Sequence, residues 1–315
     1  MTEKFRALLA SARIANAPSA VSNVVLGYAL GLTLSGESDR FDGFLVALFA
    51  IMAVCLLVAG NLINDWYDRD WDATHRPERA LPSGLFSPPS YLIMAVGTAI
   101  AALAIAGALG IAPAIVTALI LVCIGGYTAM HKRSPWSVLP MGLCRAGLYV
   151  LGFVCAWPSG IASDGAFEWL PALVLATHAL GLLSYVAGLS LTARYESMPH
   201  PPAGRKRFAH ILLWLPLIAM TAWWADDQPW ASGLALIPFI LWLGWSLALL
   251  RQSVPKLVSA MLAGIPLVDF IATAPLAMRW LNSAATPPST AIGLMMMPIA
   301  AWLFGLALQK IASAT

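Results

Sequence analysis

Apolar stretches of about 17 to 23 residues recur ten times, near 16–34, 43–63, 90–109, 111–129, 138–157, 169–189, 209–225, 230–250, 257–278 and 289–308. A helix of that length crosses the hydrocarbon core of a bilayer with modest tilt. Polar residues gather in the gaps, the longest being 64–89 and 190–208, and neither leaves room for a soluble domain. The pattern predicts an all-α fold, a polytopic transmembrane helical bundle of nine to ten spans forming one integral membrane domain over residues 1–315. The ninth segment sets the range. It carries Pro266, Pro275 and an intramembrane Asp269, any of which suits a kinked or re-entrant helix. Asp269 is expected to pair with a neighbouring helix.

Composition agrees. Of 315 residues, 60% are hydrophobic and 10% charged, with a mean hydropathy of +0.78, values that belong to membrane proteins. The first 18 residues carry Lys4, Arg6 and Arg13 and lack a compact small-residue cleavage pattern, so the segment that follows reads as a first span and not a removed signal peptide. Alternating the gaps between two sides puts fifteen of the basic residues with the N-terminus and two, Arg40 and Arg279, opposite; Arg145 falls within a span. This asymmetry predicts an inner-membrane protein with both termini and the long polar gaps in the cytoplasm. Cys55, Cys123, Cys144 and Cys155 all lie in apolar runs, without CxxC spacing, and read as inert thiols. The scattered basic residues form no nucleic-acid motif, and the sequence names no protein partner.

One gap is chemically dense. Asn61-Leu62-Ile63-Asn64-Asp65-Trp66-Tyr67-Asp68-Arg69-Asp70-Trp71-Asp72 places four of the chain's fifteen acidic residues within eight positions, at the end of an apolar run. At about 100° per helical residue, Asp65, Asp68 and Asp72 share roughly a 60° arc beside Asn61 and Asn64, with Asp70 on the other side. Three carboxylates on one face repel one another unless a cation lies between them, and hard cations such as Mg²⁺ prefer oxygen ligands. The bland alternative is a solvated acidic helix end; adjacency to a membrane span favours function. Arg76 and Arg79 follow, and Pro77, Pro82 and Gly84 stop the helix and turn the chain back over such a site. Carboxylates, Mg²⁺ and guanidinium groups together suit a metal-bound polyanion such as pyrophosphate.

Two further gaps belong to the same side. Tyr127-Thr128-Ala129-Met130-His131-Lys132-Arg133 offers Lys132 as a phosphate contact and Arg133 as a positive-inside anchor. Arg145, one segment later, is a guanidinium within a span and needs a partner or a wet cavity. In Ser184–Glu196, the residues Gly188, Thr192 and Glu196 share a helical face, and Arg194 with Glu196 fits a solvated helix end equally well.

The first constellation resembles the signature of the UbiA superfamily of intramembrane prenyltransferases, NDxxDxxxD followed by RP and a Pro-Ser-Gly turn. Here it stands as Asn64, Asp65, Asp68 and Asp72, then Arg76-Pro77 and Pro82-Ser83-Gly84. Tyr127 to Lys132 resembles the family's YxxxxK segment, and Arg13-Ile14-Ala15-Asn16-Ala17-Pro18 its polar entry into the first helix. The resemblance is strongest over residues 10–250, leaving two further hydrophobic segments in 251–315. The segment Ser184–Glu196 and the C-terminal region with Asp269 resemble the divergent UbiA-like branch of ebo-type bacterial operons.

The resemblance implies a helical bundle around a central cavity that moves an isoprenyl group from an isoprenyl diphosphate to a small acceptor with Mg²⁺. It implies that Asp65, Asp68 and Asp72 serve the metal and catalysis, that Asn64 orients the diphosphate, and that Arg76 and Lys132 bind phosphate. Arg145 and Glu196 join the substrate-binding set. The family's second aspartate motif falls on Gly188, Thr192 and Glu196, of which only Glu196 keeps a carboxylate, so a second Mg²⁺ site is expected to be weak or absent. The alternative reading is a non-catalytic carrier that keeps the cavity to bind a prenyl lipid or an amphipathic metabolite.

Overall fold

A computed structural model describes residues 3–157, 162–163, 166–167, 169–196, 198, 203–250 and 252–312. The described residues form thirteen α-helices: α1 Glu3–Ser11, α2 Ala17–Ser35, α3 Gly43–His75, α4 Pro88–Leu109, α5 Ile111–Met130, α6 Val138–Ala156, α7 Trp169–Glu196, α8 Ala203–Trp214, α9 Pro216–Ala219, α10 Pro229–Leu249, α11 Val254–Ala263, α12 Ile265–Leu281 and α13 Pro288–Gln309. Between α6 and α7, among the described residues, a short ribbon pairs Ala162 with Phe167 and Ser163 with Ala166.

Nine stretches among the described residues are helical, long and apolar enough to cross a membrane, which agrees with the predicted class. Two of the predicted segments are broken. The ninth divides at Gly264, which keeps a right-handed helical conformation between α11 and α12, and Val254–Leu281 together is long enough to cross. The seventh is split at Pro216, whose ring nitrogen has no proton for the helix ladder. Beyond it, bonds from Met220 to Pro216, Ala225 to Thr221 and Gln228 to Trp224 carry the chain onward in helical turns.

Contacts show that the split segment still runs the length of the bundle. At one end Tyr91 donates to Ser11, Lys132 meets Asp68 and Gln309 donates to the Ser259 carbonyl. At the other, Trp280 donates to Thr33, Thr286 to Ser38, and Arg279 pairs with Asp227 at 3.3 Å. Asp227 therefore lies at the end opposite Asp68, and the described chain passes between the two ends ten times, leaving α1 and the end of α13 together.

The bundle packs around α2 and α12, the most enclosed of these helices. Glycine lets α2 and α6 meet backbone to backbone: a Cβ on Gly27 would collide with the Tyr149 carbonyl, and one on Gly152 with the Val24 carbonyl. A buried polar network ties these two helices to α12. Asn23 donates to both oxygens of Asp269 at 3.0 Å, Tyr149 donates to the same carboxylate, and Arg145 donates to Ser19 at 3.0 Å and Asn23 Oδ1 at 3.3 Å. In hydrocarbon, every such group needs a partner, and Asp269 has the neighbouring-helix partners expected of it.

Replacing Gly152 by Ala should destabilise the protein by about 1–3 kcal/mol through overpacking, read as a lower unfolding midpoint in detergent. Gly97→Ala in α4, where a Cβ meets nothing within 4 Å, should not. Equal midpoints for the two variants would contradict the close α2–α6 contact.

Candidate active site

α3 continues well past the length a bilayer needs, and its last turns carry the aspartates. The face predicted from spacing is the face that turns inward: Asn64, Asp65, Asp68 and Asp72 are buried, whereas the Asp70 side chain is 88% exposed beside Arg69. Arg76 caps the helix, its N–H bonded to the Asp72 carbonyl at 2.8 Å. After Pro77 the chain reverses, with Gly84 at φ 77° in the left-handed region that glycine tolerates. Phe86 bonds back to the Ala80 carbonyl, and Ala80 packs with Leu62, Tyr91 and Ala95. The predicted fold-back is present, and it returns Arg79 to the aspartates.

Each carboxylate is met by cations from elsewhere in the chain. Arg79 Nη1 lies 2.8 Å from Asp72 and 3.4 Å from Asp65. Arg13 approaches Asp65 at 3.6 Å and donates to Asn61 Oδ1 at 2.6 Å. Lys132 Nζ contacts Asp68 at 2.8 Å and sits 4.1 Å above the Trp71 ring, while His131 Nε2 is 3.0 Å from the other Asp68 oxygen. The hydrogen bond to Asp68 holds the His131 pKa above its usual value. Arg13 has φ 46°, unique among described non-glycine residues. That conformation costs roughly 1–2 kcal/mol, and it aims the side chain at Asn61 and Asp65.

These groups line the mouth of a cavity of about 480 Å³. Arg13, Asn64, Arg76, Arg79 and His131 occupy the mouth, and the same residues with Asp68, Asp72 and Lys132 line an adjoining recess. Deeper, the walls are apolar: Ala53, Leu56 and Leu57 from α3, Ile120 and Ile124 from α5, Leu148 from α6, Val186 and Leu189 from α7, Leu262 and Ile265 from α11 and α12. Arg145 lines this cavity from α6 while bonded into the network around Asp269. Of the sequence-predicted set, Asn64, Arg76 and Arg145 line the cavity and Asp68, Asp72 and Lys132 the adjoining recess; Asp65 is buried against Arg13 and Arg79 and lines neither, and Glu196 ends α7 with its side chain outside the described residues. Spacing arguments passed over Arg13, Asn61 and His131 as site residues; a guanidinium just before the first span was the one available signal. The four cysteines are unpaired and half-buried.

A helical bundle with a charged mouth over an apolar chamber suits a molecule with an anionic head and an apolar tail. Residues 24–268 match the sequence profile of the UbiA prenyltransferase family, and the chain belongs to that family. It is 34% identical over 148 residues to a digeranylgeranylglyceryl phosphate synthase of Methanothrix thermoacetophila, covering 45% of this chain and 54% of that protein. The corresponding protein of Natronomonas pharaonis is 31% identical over 134 residues, 42% and 46% of the two chains. The chain spans about half the length of the curated relatives it matches. A solved digeranylgeranylglyceryl phosphate synthase in membranes aligns with a TM-score of 0.52 and 18% identity, covering 99% of both chains, and shares the fold.

The resemblance implies Mg²⁺, and the chemistry of the donor set fits a hard cation. Three carboxylates face inward, and the buried Asn64 Oδ1 has no hydrogen-bond partner, an acceptor that awaits a donor or a cation. Among the described residues no three acidic, histidine or cysteine groups converge on a point that could hold a metal as they stand, because Arg79, Arg13, Lys132 and His131 have taken the carboxylates. A cation would enter by exchanging partners with them.

Removing Arg79 leaves Asp65 and Asp72 without their closest cation. Arg79→Met should cost on the order of 2 kcal/mol, and Arg79→Met with Asp72→Asn should recover part of that loss in the same unfolding assay. A double variant no more stable than Arg79→Met would show that the pair does not carry the effect.

Proposed function

We propose that this protein is a membrane-embedded prenyltransferase that moves an isoprenyl group from an isoprenyl diphosphate to a small acceptor. The observation that carries the reading is the junction of a cationic, carboxylate-lined mouth with an apolar chamber, which matches a substrate with a polyanionic head and a hydrocarbon tail. Asp65, Asp68 and Asp72, with Asn64 beside them, would hold Mg²⁺, which would supply charge neutralisation to a departing diphosphate. Arg76, Arg79, Arg13 and Lys132 donate to its oxygens once released from the aspartates, so charge developing on the leaving group meets preplaced donors. The apolar walls from α3, α5, α6 and α7 fix the isoprenyl tail, hold the acceptor against the reacting carbon and exclude water from the allylic cation. Arg145, on the same wall, contacts the acceptor or the head group.

Purified protein in lipid nanodiscs should transfer label from a radiolabelled prenyl diphosphate to an acceptor in a Mg²⁺-dependent reaction. Asp68→Asn should lower turnover at least about a hundredfold. Binding of the diphosphate without any product across a panel of aromatic and lipid acceptors would favour the carrier reading instead.

The same reading places the mouth at the cytoplasmic face of the inner membrane, supported by the fifteen-to-two distribution of basic residues. A green fluorescent protein fused at the C-terminus should fluoresce, and alkaline phosphatase fused there should be inactive. The reverse pair of results would invert the orientation.

A further inference from the structure

The apolar chamber ends at one level on five helices. Its deepest lining residues are Ala53 on α3, Ile120 on α5, Leu148 on α6, Val186 on α7 and Ile265 at the start of α12. One turn further from the mouth stand Phe49, Thr117, Leu151, Leu182 and Val268, each 0% exposed and outside the cavity lining. The five helices therefore close the chamber with a common floor. That floor is backed by the α2–α6 contact at Gly27 and Gly152 and by Asp269, next to Val268, whose carboxylate accepts from Asn23 and Tyr149. Opening a path between these helices would part closely packed backbone and leave a carboxylate without its donors inside the membrane.

We infer that this floor limits the donor's tail to three isoprenyl units, and that Ala53 sets the limit. The inference rests on the diphosphate reading above. One helix, α3, carries both ends of the measure: Asn64 lies where the cavity meets the recess of carboxylates, and Ala53 lines the floor. Eleven residues separate them, roughly 16 Å of helix. On α5, His131 at the mouth and Ile120 at the floor are the same distance apart in sequence. An isoprenyl unit adds four bonds of about 1.5 Å to the chain and lengthens it by roughly 5 Å. Three units fill the depth, and a fourth meets the layer that contains Phe49. Ala53 has the smallest side chain of the five floor residues, so it is there that added bulk takes space otherwise left to the end of the tail.

A ladder of tail lengths tests this without turnover. Methylene-diphosphonate analogues of dimethylallyl, geranyl, farnesyl and geranylgeranyl diphosphate compete with a tritiated geranyl analogue for the protein in lipid nanodiscs with Mg²⁺, and partition into empty nanodiscs is subtracted. The farnesyl analogue should bind most tightly, and the geranylgeranyl analogue at least about tenfold more weakly, the penalty of overpacking. Ala53→Leu should move the optimum to the geranyl analogue, and Phe49→Ala should move it to the geranylgeranyl one. Val186→Phe serves if Ala53→Leu does not fold. A wild-type optimum at any other length, no optimum at all, or an unchanged optimum in a folded floor variant would overturn the limit and leave the diphosphate reading standing. Binding of none of the analogues would overturn both.

Discussion

Three carboxylates on one buried helix face are costly without countercharge, and the architecture of the mouth follows from supplying them with cations. Charges 4 Å apart interact far more strongly in a protein interior than in water, so Asp65, Asp68 and Asp72 draw partners from three separate parts of the chain. Arg13 comes from the turn before α2, Arg79 from the reversal after α3, and His131 with Lys132 from the end of α5. Each of these segments is anchored independently, the reversal by Ala80 against Leu62 and Tyr91, the N-terminal turn by Asn61 donating to the Ala12 carbonyl. The cluster therefore pins one end of the bundle together.

That arrangement is a resting state with its charges already matched. A ligand that brings both a cation and a polyanion exchanges partners on both sides of each pair, leaving no charge exposed to the low-dielectric surroundings. A bare cation would leave guanidinium groups unpaired, and a bare diphosphate would leave carboxylates unpaired. The uncommitted Asn64 Oδ1 is the acceptor in the cluster that gains without giving up a partner.

Much of this was legible in the chain. Span positions followed from apolar length, because hydrocarbon thickness sets a strict ruler, and the inward face of α3 followed from helical spacing, since Asp70 alone points out. Two things were not legible. Pro216 and Pro266 both sit in the first turn of a helix that follows a break, α9 and α12, yet α12 runs on to Leu281 while α9 ends at Ala219, a difference the prolines do not announce. The cavity-facing stripe of α7 was hidden too, because apolar residues surround that helix on every side and polarity marks no face. The site role of Arg13 depends on meeting Asn61, 48 residues away, a contact that local pattern does not contain.

The network around Asp269 has a consequence for how the protein is made. Asn23 and Asp269 are separated by 246 positions. At about 5–20 residues per second, roughly 12–50 s of synthesis pass between them. Throughout that interval Asn23 in α2 lacks the carboxylate, and Tyr149 in α6 lacks it for the last 120 positions. A helix made early, α2, is thus among the last to have its buried polar groups satisfied, and until then water must supply the partners that lipid does not.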